Sequence, residues 1–167
     1  TCVLSYTGCS HNNYQDPYKG SPFTDSVFNN PPQVIPGKIQ CEYYDVGGEG
    51  IAYHDNDSVN SGSGILNPLN GNYLHAFRKD ENVDISYTKS GGVDDNPYNF
   101  TEPLMNQLYV GWTAPGEWIK YTVNVEKKGA YVIGLMYTAN ADGAISLTLN
   151  DDPVKDTILT PSTYRST

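Results

Sequence analysis

IKYTVNV, residues 119–125, is the stretch that decides the fold class. Ile119, Tyr121, Val123 and Val125 alternate there with Lys120, Thr122 and Asn124. An apolar period of two sends one set of side chains to a buried face and the other toward water, so the stretch predicts a half-buried strand. The same period recurs on both sides of it. Ile39, Cys41 and Tyr43 alternate with Gln40, Glu42 and Tyr44; Val83, Ile85 and Tyr87 with Asp84 and Ser86; Ile145, Leu147 and Leu149 with Ser146 and Thr148. Residues 131–138, YVIGLMYT, are apolar on both faces, as a central strand requires. No window of about 12 residues carries a helical stripe. Short strands joined by Gly- and Asn-rich turns predict an all-β chain, a β-sandwich of two antiparallel sheets beginning near residue 37. Ile119, Tyr121, Val123, Ile145, Leu147 and Leu149 are its expected core residues, because a one-residue slip would expose all of them.

The 167 residues suffice for one ordinary domain. Lys and Arg number 10 against 19 Asp and Glu, a net charge of -9, which argues against a nucleic-acid partner. Only 17% of residues are charged, while Tyr supplies 14, Gly 16 and Pro 11, a composition of extracellular β proteins with long functional loops. The sequence holds no run of about 18 apolar residues, so no membrane span is expected. Nor do the first residues show a signal-peptide pattern; a secreted protein, whether extracellular, periplasmic or on the cell surface, would already have lost it.

Residues 1–36 lack periodicity and contain Pro17, Pro22, Pro31, Pro32 and Pro36, so residues 1–34 read as a linker or the tail of a preceding domain. Their aromatics, among them Tyr18, Phe23 and Phe28, have the means to dock on a neighbour. Cys2 and Cys9 are close enough in sequence to close a small loop, which leaves Cys41 as a buried, inert thiol. Residues 55–72 and 89–107 are long connections rich in turn formers; loops beyond about 12–15 residues are usually functional or disordered, and here a ligand-facing or shielding role is expected.

Three groups of residues could carry chemistry. Gln40 and Glu42, two apart on an expected strand, share one face; an amide oxygen beside a carboxylate is a start toward a hard cation such as calcium, or simply a solvated strand face. Trp112 and Trp118 flank the turn GWTAPGEW, where an aromatic face at a loop tip can stack on a sugar ring; the alternative puts both in the core. Asp45, Glu49, Asp55 and Asp57 cluster with His54 around a Gly-rich turn. A glycosidase needs two carboxylates facing each other across a cleft, one with a raised pKa.

The segments PGKIQCEYYDVGGEGIAYHD, FRKDENVDI and YVGWTAPGEWIKYTVNVEKKGAYVIGLMYTA resemble, in that order, a family 6 carbohydrate-binding module of the kind appended to bacterial glycoside hydrolases. The resemblance runs from about Ile35 to Leu159. It implies a jelly-roll β-sandwich over residues 35–167 that binds an oligosaccharide or polysaccharide without cleaving it. It also implies an attached or companion glycoside hydrolase and a structural calcium ion near the first strand. Gln40 and Glu42 match the family's side-chain calcium ligands, and a backbone carbonyl near Arg78 matches a third. Trp112 matches an aromatic platform of the sugar cleft; Glu117 follows in the same turn, either bonding sugar hydroxyls or shaping the loop. Family members continue past the region of residues 160–167 with a second aromatic platform and a final strand, so that strand is expected to be lacking here. Another polypeptide, a second copy or residues 1–34 would then cover the exposed edge, and the prolines of residues 1–34 favour the first. A catalytic hydrolase or lyase, or a spacer packed on a catalytic domain, are the competing readings.

Overall fold

The computed structural model describes residues 2–6, 18–68, 70–154 and 157–163. Among these the chain is mostly strand and loop, as the period of two predicts. Its longest element is the strand foretold by residues 119–125, running Trp118–Val125. In chain order the strands are β1 (Cys2–Tyr6), β2 (Gln33–Ile35), β3 (Tyr53–His54), β4 (Ile85–Tyr87), β5 (Leu108–Val110), β6 (Trp118–Val125), β7 (Gly143–Ile145), β8 (Leu147–Leu149), β9 (Asp152–Pro153) and β10 (Ile158–Thr160). Helical structure is confined to a 3-10 turn at Cys41–Tyr43, a π turn at Gly62–Leu66 and one α-helical turn, α1, at Tyr73–Ala76.

β6 organises the largest sheet. β1 pairs with one edge, Cys2 opposite Ile119 through Tyr6 opposite Val123. The other edge carries β2, with Gln33 opposite Val123, and β3, with Tyr53 opposite Ile119. β8 lies beyond β1 and β9 beyond β8. Two small antiparallel pairs, β4 with β5 and β7 with β10, complete the described strands. Tyr121 and Val123 are each 1% exposed and join Tyr44, Ala52, Phe77 and Ile85 in one apolar cluster. Leu147 is buried and Ile119 and Ile145 are half-buried, but Leu149 is exposed at 42%.

Four features differ from the expectation. The largest sheet is mixed: β1 runs parallel to β6 and β8, and β2 parallel to β6, where antiparallel pairs were expected. Residues 1–36 are not wholly irregular, since β1 and β2 come from them. β1 takes the place beside β6 without meeting a proline, because the five prolines all lie after residue 6. Residues 131–138 form no strand, and Val132 is fully exposed with Ile133 at 52%. The ladder positions of β6 are held by β1, β2 and β3, so this segment finds no strand partner among the described residues. Residues 39–43 are not a strand either. Tyr44 is fully buried while Tyr43 packs on a second aromatic group, and neighbours that both turn inward defeat a period of two. The 3-10 turn resolves the conflict, at the cost of exposing Cys41, which the alternation had placed inside.

The segment before β2 is docked on the Cys41–Tyr43 turn and on α1 rather than trailing free of the fold. Tyr43 stacks on Phe28 at 4.3 Å and on Phe23 at 5.7 Å, and Phe77 meets Phe23, Tyr43 and Tyr73 edge-on. The Asp25 carboxylate accepts from the Val27 and Phe28 amides and from the Tyr73 hydroxyl. Burial works to raise its pKa, but these bonds outweigh it and hold the carboxyl below its ordinary value. Cys9 lies outside the described residues, as does the side chain of Cys2, and with them the Cys2–Cys9 loop.

Candidate functional site

The turn between β5 and β6 presents Trp112. Its backbone is left-handed, φ 47, a conformation that costs a non-glycine residue energy and so needs support from its surroundings. The support comes from both flanks. The Gly111 amide donates to the Asp84 carbonyl at 2.9 Å. Glu117 accepts from the Ala114 amide through Oε2 at 2.6 Å and from the Asn56 amide through Oε1 at 3.4 Å. Asn56 returns a bond from Nδ2 to the Pro115 carbonyl, 3.2 Å. Gly116, at φ 98, supplies the left-handed residue the tip requires. The result leaves Trp112 51% exposed on a braced loop, whereas Trp118, the first residue of β6, is half-buried. Both carboxylate oxygens of Glu117 are engaged by backbone amides, so within the fold it shapes the loop.

The acidic cluster divides. Asp45 leaves it for the sheet: 1% exposed, it accepts from the Thr122 amide at 2.8 Å and the Thr122 hydroxyl at 2.7 Å. Glu49 holds the His54 ring, Oε1 to Nδ1 at 2.5 Å, and accepts from the Asp55 amide. Asp55 and Asp57 stay near the Trp112 turn and are joined by Asp84 and Glu117. Burial pushes Asp55 up to about 6, and the negative charges of Glu117, Asp84 and Asp57 act in the same direction against one backbone hydrogen bond. Asp84 is also raised, by burial first. Asp84 entered only as a polar residue in an alternating strand; its membership depends on the contact between residues 55–57 and 111–117, which no local pattern records. Two surface hollows of about 330 and 340 Å³ lie beside Asn60 and Tyr73, and neither is lined by Trp112 or Glu117.

At the second candidate, Gln40 and Glu42 do not share a strand face, because the turn begins between them. Glu42 is 3% exposed, and among the described residues its carboxylate bonds only to its own backbone amide. Burial pushes it up to about 7. Burial outweighs the two influences that favour the charged form, the bond to its own amide and the charge of Lys38, and a cation is one way to compensate a buried carboxylate. The Gln40 side-chain amide makes no hydrogen bond to a described residue. The Arg78 carbonyl already accepts from the Glu81 amide at 3.0 Å and from Asn60 Nδ2 at 3.4 Å. Among the described residues no group of three or more His, Cys, Asp and Glu has metal-binding geometry, and no helix is long and apolar enough to cross a membrane.

No protein-family model matches the chain, and no curated protein matches it in sequence.

Proposed function

We propose that this chain is a non-catalytic glycan-binding module. In this reading its strands form a jelly-roll sandwich like that of family 6 carbohydrate-binding modules. It holds an attached or companion glycoside hydrolase on an oligosaccharide or polysaccharide outside the cytoplasm. The observation that carries it is the half-exposed Trp112 on a loop braced through Glu117 and Asn56. A large apolar ring costs little to desolvate and offers a face to the C–H side of a sugar, while the polar groups around it can meet hydroxyls. Electrophoresis through gels containing soluble polysaccharides, followed by calorimetry with the glycan that retards the chain, tests this. Trp112→Ala is expected to weaken binding at least about tenfold, the equivalent of about 1.4 kcal/mol of lost ring contact, with an unchanged melting temperature. Retardation by no glycan, or equal binding by the variant, would overturn the reading.

Calcium has a structural part in the same proposal, held by Gln40 and Glu42. A bound ion would add to the positive charge of Lys38, which offsets the burial of Glu42 only in part. Because the unfolded chain has no assembled site, calcium at about 100 times its dissociation constant should add about 2.7 kcal/mol of stability. Thermal unfolding in calcium against chelator reads this directly, and coincident curves would remove calcium.

One observation favours an enzyme instead. Asp55, with its raised pKa, sits among carboxylates that include Glu117, and a proton-holding acid near an ionised partner is what glycoside hydrolysis uses. Release of reducing ends from a retained glycan, abolished by Asp55→Asn, would favour that reading. Both carboxylates serve the loops already: Asp55 accepts from the Asp57 amide, and Glu117 from Ala114 and Asn56.

A further inference from the structure

Residues 131–138, apolar and unpaired, leave an open edge on the molecule. Among the described residues, no backbone amide or carbonyl of residues 130–138 is hydrogen-bonded. The side chains are as open: Val132 is fully exposed, Met136 65% and Ile133 52%. Both ends of the segment are nevertheless fastened. Just before it the Glu126 amide donates to the Ile35 carbonyl at 2.9 Å. At its other end the Ala139 amide donates to Thr163 Oγ1 at 3.0 Å, and the Thr163 amide to the Ala139 carbonyl at 2.8 Å. The Tyr137 hydroxyl donates to the Pro161 carbonyl at 3.2 Å. An apolar stretch with free backbone groups is a template for another strand, and fixed ends reduce the ordering entropy lost when one docks.

The charges at its two ends say which strand fits. Residues 129–141 carry no charge; Lys127 and Lys128 precede them and Asp142 follows. Among the described residues neither lysine ammonium has a partner. Two copies of the segment laid antiparallel about Leu135 set Ile133 of each opposite Tyr137 of the other, a β-branched-to-aromatic pair made twice. The same register brings Lys128 of each toward Asp142 of the other, whereas a parallel pair would set lysine against lysine. We propose that residues 131–138 are a self-pairing edge, through which two copies of this chain join as an antiparallel, two-fold dimer. Such a contact uses the same patch on both copies, so it closes at two. The net charge of -9 on each copy opposes association, but at physiological salt it is screened beyond about 8 Å, while the ladder and the end pairs act at contact. The inference does not depend on what the Trp112 loop binds.

The test is light scattering on the full 167-residue chain over a range of concentrations, where a monomer passing to a dimer is expected. Ile133→Asp changes a side chain that is exposed in the single copy and puts a charge into the ladder twice. It is expected to weaken the dimer at least about tenfold and to leave the melting temperature of dilute protein unchanged. Reversing both lysines, Lys127→Glu with Lys128→Glu, sets carboxylate against Asp142 at each end and should weaken the dimer at low salt. An unchanged affinity there would overturn the antiparallel pairing, since a parallel pair merely exchanges one like-charge contact for another. Should Ile133→Asp not fold, amide exchange in the wild-type chain decides the question. Alternate amides of residues 131–138 are expected to exchange freely in dilute protein and slowly in concentrated protein. A dimer without that protection would overturn the proposal, as would a monomer at every concentration or an assembly that grows beyond two.

Discussion

Replacing Arg78 with methionine is expected to destabilise the chain by about 2–4 kcal/mol, the cost of removing a buried guanidinium from two carbonyls and from a carboxylate that is itself 28% exposed. The Arg78 side chain is 3% exposed. Its guanidinium carbon lies over the Tyr44 ring, 3.4 Å from the centroid, and 4.8 Å from that of Phe23. It donates to the Tyr44 and Asp45 carbonyls and grips Glu81 through two bonds, Nε to Oε1 at 2.9 Å and Nη2 to Oε2 at 2.8 Å. Glu81 in turn accepts from the Tyr44 hydroxyl. Burial drives the Tyr44 pKa far above its ordinary value, so this hydroxyl stays a donor at any physiological pH. Methionine fills the volume but leaves two carbonyls and a carboxylate without their donor. Arg78→Lys should recover only part of the loss, since an ammonium cannot fork to Glu81 while also reaching the Tyr44 and Asp45 carbonyls. Urea unfolding measures both variants, and a loss below about 1 kcal/mol for Arg78→Met would place the guanidinium in a mere surface pair.

Tyr43→Ala is expected to cost about 3 kcal/mol, at the low end for a large aromatic truncation because Tyr43 is only partly buried. The ring is the centre of the group that fastens residues 18–35 to the Cys41–Tyr43 turn and the end of α1, with Phe28, Phe23 and Phe77 all within 5.8 Å. Loss of the ring should therefore free that segment before the rest unfolds. Limited proteolysis is expected to cut the variant between residues 18 and 35 under conditions that leave the wild type intact. Equal resistance would show that the segment is held by β2 alone.

β6 was legible because its pattern is local: a strand with one buried face must alternate, and Tyr121 and Val123 are buried while Asn124 is exposed; around β4 the strand was legible but its faces were not, since Asp84 and Ser86 are buried along with Val83 and Ile85. The turn that carries Trp112 was legible for a similar reason, since its Gly and Pro residues dictate a tip, but whether the ring lies inside or outside was left open by the sequence and is decided by the fold, which leaves it 51% exposed. Residues 131–138 and 39–43 were misread although their patterns are as strong. A strand exists only when another strand answers its backbone hydrogen bonds, and sequence periodicity states a preference for one without naming the partner. The side chain of Arg78 left no trace for the same reason. It owes its role to Tyr44, some thirty residues earlier, which the chain brings near only after folding. The sequence by itself determined which segments want one face dry, because burial preference is a property of single side chains. Which edges meet, and which buried polar group grips which turn, was decided by tertiary structure, because a hydrogen bond belongs to two groups at once.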